Sequence, residues 1–239
     1  MESGAGPSSE VGGMLVKASV TDAFRSDFAQ ALYNGTGLSA VTRVVLVDIY
    51  GTERDSATDL TFEVSGGALY IRASITASAS YTCRYVRVYA GAKRYMDAQL
   101  PTDAQVASGT TYSVTVLYTY TPSGSMSNYT FVDVNLRSTL YDVLRGAKSA
   151  SALNITKARI YVTNIDVFPP TTTYYDLTLS KSVSGTRVTW SGSLTLDYNA
   201  EVEDIEVYAG VFILYKWSVS TPVGVSAGST VSYSETFNT

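Results

Sequence analysis

The chain predicts a mainly β protein made of two tandem, duplicated β-sandwich-like domains, each with one short amphipathic helix near its start. Three observations carry that expectation. Residues with high strand propensity crowd into short runs separated by Gly, Pro and Ser turns. The composition is 45% hydrophobic against 16% charged, with 19 Tyr filling the place that charge usually takes on a surface. Above all, the sequence repeats itself. Val88-Tyr89-Ala90-Gly91 recurs as Val207-Tyr208-Ala209-Gly210, and at that offset of 119 nine of the thirty-four positions from Tyr85 to Tyr118 are identical. The match extends upstream at other offsets: Met14 to Asn34 answers Met126 to Gly146, and Asp59-Leu60-Thr61 answers Asp176-Leu177-Thr178. A unit of roughly 110 residues is large enough to own a core, unlike the unit of a short solenoid.

Each copy is expected to open with a short strand, Leu15 to Val20 in the first and Tyr129 to Val132 in the second. A helix follows. Thr21 and Asp133 align at its start, and either side chain can accept a bond from an otherwise unpaired helical N–H. Phe24, Phe28, Ala31 and Leu32 fall at helical spacing, as do Leu136, Leu140, Val143 and Leu144. Asn34-Gly35 and Gly146 end the helices with residues that tolerate the left-handed conformation.

The remainder predicts strands. Thr42 to Tyr50 and Thr156 to Phe168 are rich in β-branched residues, the second stopped by Pro169-Pro170. Leu60 to Val64 turns at Ser65-Gly66-Gly67 into Leu69-Tyr70-Ile71, and the equivalent hairpin runs Leu177 to Val183, Ser184-Gly185, Val188 to Trp190. Tyr85 to Tyr89 and Ile205 to Tyr208 alternate. From Thr111 to Tyr120, Tyr112, Val114, Val116 and Tyr118 share one side, the pattern of a half-buried strand. The domains are expected at 14–123 and 124–239, divided at Thr121-Pro122-Ser123-Gly124-Ser125, with residues 1–13 (MESGAGPSSEVGG) as an extended arm lacking the apolar residues needed to fold alone.

Charge and composition exclude several function classes. A net charge of −4 offers no basic face for neutralising phosphates, so no nucleic-acid partner is expected. No apolar run reaches the length of a membrane span, and the first thirteen residues lack the basic and apolar regions of a signal peptide. The chain has no histidine, which removes the usual general base, the Ser-His and Cys-His nucleophile pairs and most zinc and copper sites. No phosphate-binding glycine loop and no Gly-x-Ser-x-Gly elbow is present. No catalytic residue, metal ligand or cofactor is therefore expected, and the protein is expected not to be an enzyme. The acidic cluster Glu201, Glu203, Asp204 and Glu206 lacks the Asp/Asn/Gly pattern of a calcium loop and is expected to be a solvated strand face. Cys83, the single cysteine, aligns with Val202 and is expected to be a small buried hydrophobe.

Three sets of residues are candidates for contacts. Arg84, Arg87 and Asp97 align with Glu203, Glu206 and Lys216: three charges reverse while the neighbouring apolar residues are kept. Equivalent surfaces that face each other would select a partner through such reversal, so these six are candidate assembly contacts. On that reading, reversing Arg84 and Arg87 to Glu weakens assembly. Trp217, aligned with Ala98 and beside Tyr215 and Lys216, is a candidate for an exposed sugar or partner contact, whereas Trp190, aligned with Ile71, is expected in the core. Asn34, Asn128 and Asn154 head Asn-x-Thr sequons and are candidate glycosylation sites.

The helix TDAFRSDFAQALYNG, the hydrophobic strand and hairpin after it, and the closing strands around the Val-Tyr-Ala-Gly segment resemble the small β-rich domains of tail, baseplate and other virion structural proteins of tailed phages and archaeal viruses. The likeness covers Met14 to Tyr120 and again Met126 to Phe237; the glycine-rich turn of such domains is reduced here to Asp48-Ile49-Tyr50-Gly51. Low charge with abundant Ser, Thr and Tyr is also similar to surface proteins of heat- and acid-loving archaea and their viruses. The resemblance implies a non-enzymatic capsid, tail or decoration protein located in the virion, self-assembling with copies of itself and with other virion proteins through its β-domain faces and its arm. Two alternatives stay open. One is a subunit of an extracellular filament or cell-surface layer; the other is a carbohydrate- or receptor-binding spike module.

Overall fold

The computed structural model describes residues 13–122, 126 and 129–239. The arm before Gly13, the sequon at Asn128 and most of the expected boundary, 123–125, lie outside the described residues. The protein is mainly β and β-sandwich-like, with eighteen strands against two α-helices among the described residues. It divides into two compact units, 1–21 with 41–119 and 22–40 with 120–239.

The first unit holds two sheets. β1 (Gly13–Lys17), β2 (Ser19–Val20), β3 (Arg43–Asp48), β4 (Glu53–Ala57), β5 (Leu60–Ser65), β6 (Ala68–Thr76), β7 (Tyr81–Ala90), β8 (Lys93–Val106) and β9 (Thr111–Thr119) form the orders β1-β9-β6-β5 and β2-β8-β7-β3-β4. The strand expected over Leu15 to Val20 is thus divided. β1 pairs in parallel with β9, and after Ala18 the chain changes sheet to pair β2 with β8. Tyr112, Val114, Val116 and Tyr118 of β9 are buried, matching the predicted alternation, as are Leu69, Ile71, Ala73 and Ile75 of β6. β3 is buried on both faces, because Val45 and Val47 pack on the opposite side against Tyr89 and Tyr85.

The second unit contains both α-helices, α1 (Asp22–Asn34) and α2 (Leu136–Leu144), and a 3-10 turn at Ala150–Leu153. Its strands are β10 (Tyr129–Asp133), β11 (Lys157–Asn164), β12 (Thr171–Thr178), β13 (Ser180–Ser184), β14 (Arg187–Thr195), β15 (Ala200–Ala209), β16 (Phe212–Val219), β17 (Val223–Val225) and β18 (Thr230–Asn238). One sheet runs β10-β16-β15-β11-β12 with β17 also on β15, and the other runs β13-β14-β18. The hairpin expected over Leu177 to Val183 is interrupted at Leu179: β12 ends in the first of these sheets and β13 begins the second.

The order β2-β8-β7-β3-β4 reappears as β10-β16-β15-β11-β12, and individual bonds recur with it. The Thr42 N–H donates to the Tyr89 carbonyl at 2.8 Å and the Thr156 N–H to the Tyr208 carbonyl at 2.8 Å. The Gly91 N–H donates to Thr42 Oγ1 at 2.9 Å, and the Gly210 N–H to Thr156 Oγ1 at 3.0 Å. A register shift stands before Tyr89 in β7 and before Tyr208 in β15. The nine pairs of β6 with β9, from Ala68↔Thr119 to Thr76↔Thr111, have counterparts from Arg187↔Asn238 to Thr195↔Thr230 in β14 and β18.

The helices depart from the expectation of one per domain. α1 follows β2 in the chain yet belongs to the second unit, where Phe24, Phe28 and Leu32 are buried and Phe28 lies edge-on to Phe237 and Tyr120. Burying each such side chain contributes about 1.5–3 kcal/mol, more than local helix propensity supplies. Three polar ties add to this: the Ile155 N–H donates to the Leu32 carbonyl at 3.0 Å, Thr239 Oγ1 to the Arg25 carbonyl at 2.6 Å, and Lys181 Nζ to the Tyr33 carbonyl. Gly35 ends α1 at φ +77°, and a Cβ there would stand 2.9 Å from Ser151 Cα, so both conformation and space require glycine. At the start of α2, Asn135 rather than Asp133 occupies the cap position, without a side-chain cap bond; Asp133 accepts from the Arg137 N–H at 3.3 Å.

Candidate interaction surfaces

Each outer strand face carries paired charges. Arg84 binds Asp103 with both arms, at 2.9 and 2.6 Å. Arg87 lies 3.4 Å from Glu53 and 3.5 Å from Asp97, its partner in the register of β7 and β8. In the second unit Glu206 stands opposite Lys216. Glu206 accepts from the Tyr161 and Tyr208 hydroxyls, Lys216 reaches Asp204 at 3.2 Å, and Glu203 accepts from Thr163. All six candidate assembly charges therefore have partners within their own unit. Two of the three reversals have a local account: both members of the cross-strand pair Arg87/Asp97 are opposite in sign at Glu206/Lys216. Beside them Asp176 binds Arg159 at 2.7 Å and Lys157 at 2.8 Å, and those bonds hold its carboxyl down at about 2.

Trp217 does not lie exposed. It is 0% accessible, and its Nε1 donates to Glu235 Oε2 at 2.9 Å, so it is not a sugar contact. Trp190 is buried as expected. Of the sequons, Asn34 accepts from the Thr36 N–H at 3.0 Å in the turn after α1. Asn154 accepts from Lys181 Nζ at 3.1 Å. Cys83 is buried, and burial pushes its thiol up.

Sequence reasoning missed a buried carboxylate. Glu235, on β18, is 2% accessible. Its Oε2 accepts from Trp217 Nε1, from the Tyr215 hydroxyl at 3.1 Å and from the Tyr233 hydroxyl, which itself accepts from Trp190 Nε1 at 3.3 Å. Oε1 has no partner. Burial pushes this carboxyl up, against the lowering effect of its donors. The equivalent positions of the first unit are Ile71, Met96, Ala98, Val114 and Val116, an apolar set. The signal was present in the offset of 119, where five apolar residues change together into a glutamate and four aromatics able to donate to it or to each other.

The other missed feature is the outer edge of β18. In the first unit β9 has β6 on one side and β1 on the other; β18 pairs with β14 alone among the described residues. Tyr129 and Thr130, aligned with Lys17 and Ala18, pair with Val219 and Ser218 in the opposite sheet, and most of the segment aligned with the rest of β1, 125–128, lies outside the described residues. β18 pairs over nine residues without a register shift and contains no Lys and no Pro. Of the devices that usually block pairing at an edge it lacks Lys, Pro and a bulge, and carries one inward-facing acidic residue, Glu235.

Among the described residues no group of His, Cys, Asp and Glu could hold a metal ion, and no helix is long and apolar enough to cross a membrane. A shallow groove recurs in both units, lined by Asp59, Thr61, Ser74 and Ser113 in the first and by Asp176, Thr178, Ser193 and Ser232 in the second. No protein family, no curated protein and no solved structure matches the chain.

Proposed function

We propose that the protein is a non-enzymatic structural subunit of an ordered assembly, a virus particle in the first instance, joined to copies of itself and to other particle proteins. The observation that carries this reading is the edge of β18: among the described residues it has no partner on the side where its counterpart β9 has β1. An edge of this kind supplies unpaired main-chain donors and acceptors to a strand from another chain. The weakly charged, hydroxyl- and tyrosine-rich composition is consistent with surfaces that end up in contact. A subunit of an extracellular filament or surface layer would use the same edge and is the alternative.

Sedimentation of the purified chain over a range of concentrations tests the reading. Large, concentration-dependent species are expected, and the double variant S232K/S234K, which sets two ammonium groups beside the edge, is expected to shift them to smaller ones. A wild-type chain that stays monomeric at high concentration removes the reading.

The recurring hydroxyl-lined groove favours a second reading, a carbohydrate- or receptor-binding module. The lining common to both grooves, serine and threonine hydroxyls with one carboxylate, suits a neutral polyhydroxylated ligand, with Arg72 added in the first. Glycan-array binding that disappears on Asp59→Ala and Asp176→Ala together supports it, and an array without signal disposes of it.

A further inference from the structure

The three most exposed apolar side chains of the second unit, Phe168, Val211 and Phe212, lie at the two ends of one sheet. β11 runs from Lys157, opposite Tyr208, to Asn164, opposite Ala200. Beyond Asn164 the loop to β12 carries Phe168, 98% exposed, with Ile165 and Val167 beside it. At the other end the turn from β15 to β16 exposes Val211 and Phe212, the latter 71% accessible, where the first unit has Ala92 and Lys93. Val211 and Phe212 form one wall of an open pocket of about 650 Å³, completed by Thr139 and Lys148, by Ala152 and by Ala209. One end thus presents an apolar knob and the other an apolar recess large enough for an aromatic ring.

Charge matches shape. The knob end carries Asp166, two residues from Phe168, and exposed Asp197. Hydrogen bonds from the Asn199 side chain and N–H, at 2.8 Å each, hold the Asp166 carboxyl below the usual range, so it stays ionised. The recess end carries Lys148 and Arg145, which share the single carboxylate of Asp142 and leave a net positive charge. An acidic knob and a basic recess on the same unit favour the same partner, a second copy of this chain.

We infer that the Phe168 loop of one copy docks in the Val211/Phe212 recess of the next. Knob and recess are different surfaces at opposite ends of the sheet, so each docked copy still presents a free knob or recess, and the contact builds a ring or a head-to-tail chain unless two copies dock reciprocally across a two-fold. The inference rests on the assembly reading above and names the partner and the surfaces. Exposed apolar clusters of this kind on a water-facing unit mark interaction sites, and a central aromatic anchor carries much of the affinity of such contacts.

Cross-linking in trans tests it. Cys83 is first replaced by Val, and Val167→Cys and Val211→Cys, which leave Phe168 and Phe212 in place, are then made in separate chains of that background. Mild oxidation of the mixture is expected to give a covalent dimer on a non-reducing gel, with little from either chain alone, because only knob and recess approach within disulfide range. Phe168→Ser is expected to weaken self-association roughly thirty-fold, the effect of losing a strong anchor. A wild-type chain that assembles while the mixture gives no heterodimer and Phe168→Ser assembles normally overturns the docking but leaves the structural role standing. Absence of any wild-type assembly overturns both.

Discussion

Arg87 faces Asp97 across β7 and β8 at 3.5 Å, and at the same place in the second unit the register opposes Glu206 to Lys216. Both members of this cross-strand pair are opposite in sign in the two units. Directly opposed side chains on one sheet face interact, and like charges there are unfavourable. A reversal at one position is therefore tolerated best when its partner reverses too. This accounts for two of the three reversed positions, Arg87/Glu206 and Asp97/Lys216, without reference to any other molecule.

Arg87→Glu alone is expected to destabilise the first unit by about 0.5–1 kcal/mol, since the new carboxylate meets Glu53 and Asp97 on a partly exposed face. Adding Asp97→Lys should recover most of that loss. A double-mutant cycle in urea measures the coupling, and strictly additive single effects would contradict the pairing.

Glu235 gives the second unit a pH dependence of definite sign. Its carboxyl is raised in the fold by burial, so the stabilising preference is for the protonated form. That contribution is fully present below the ordinary glutamate range and is lost as pH rises through the raised folded value. Thermal unfolding of Glu235→Gln, which keeps an acceptor but cannot ionise, is expected to vary less with pH than the wild type across that interval. Parallel wild-type and variant curves would show that Glu235 does not titrate differently on folding. Glu235→Val restores the residue type of Val116 but strands three donors, and a loss of about 3 kcal/mol or more is expected.

Lys181 fastens α1. Its ammonium meets the Tyr33 carbonyl, the Ile155 carbonyl at 2.6 Å and Asn154 Oδ1 at 3.1 Å. Lys181→Met keeps most of the aliphatic stem and removes all three bonds, with an expected cost of about 1–3 kcal/mol. Hydrogen exchange is the informative measurement. Amides of residues 28–34 should lose protection before those of β14 and β18, and uniform loss across the unit would refute a local fastening.

Cys83 should be silent toward thiol reagents in the native protein and react once the chain is unfolded, because it is fully buried and burial pushes its pKa up. Cys83→Val should cost less than about 1.5 kcal/mol, a near volume-conserving change, and Val202 already occupies the equivalent, equally buried position. Rapid labelling of the folded chain would count against this burial.

Local chemistry made much of this protein legible from its residues. The alternation of Tyr112, Val114, Val116 and Tyr118 determined a strand and its buried side, because side chains alternate across a pleat. The spacing of Phe24, Phe28, Ala31 and Leu32 determined a helix and its apolar face, and glycines 35, 66, 91 and 210, all at positive φ, marked where the chain turns. Tertiary structure alone decided which surfaces these elements meet. No local signal tells α1 to pack with the second unit, because an apolar helix face accepts any sufficiently apolar sheet. Likewise nothing local sends Tyr129 and Thr130 to β16, since main-chain donors and acceptors are the same in every strand. The Glu235 site shows the same division. Tyr233, Glu235 and Phe237 alternate as a strand should, but the aromatic donors that shelter the carboxylate come from β14 and β16 as well as β18, and only folding brings those strands together.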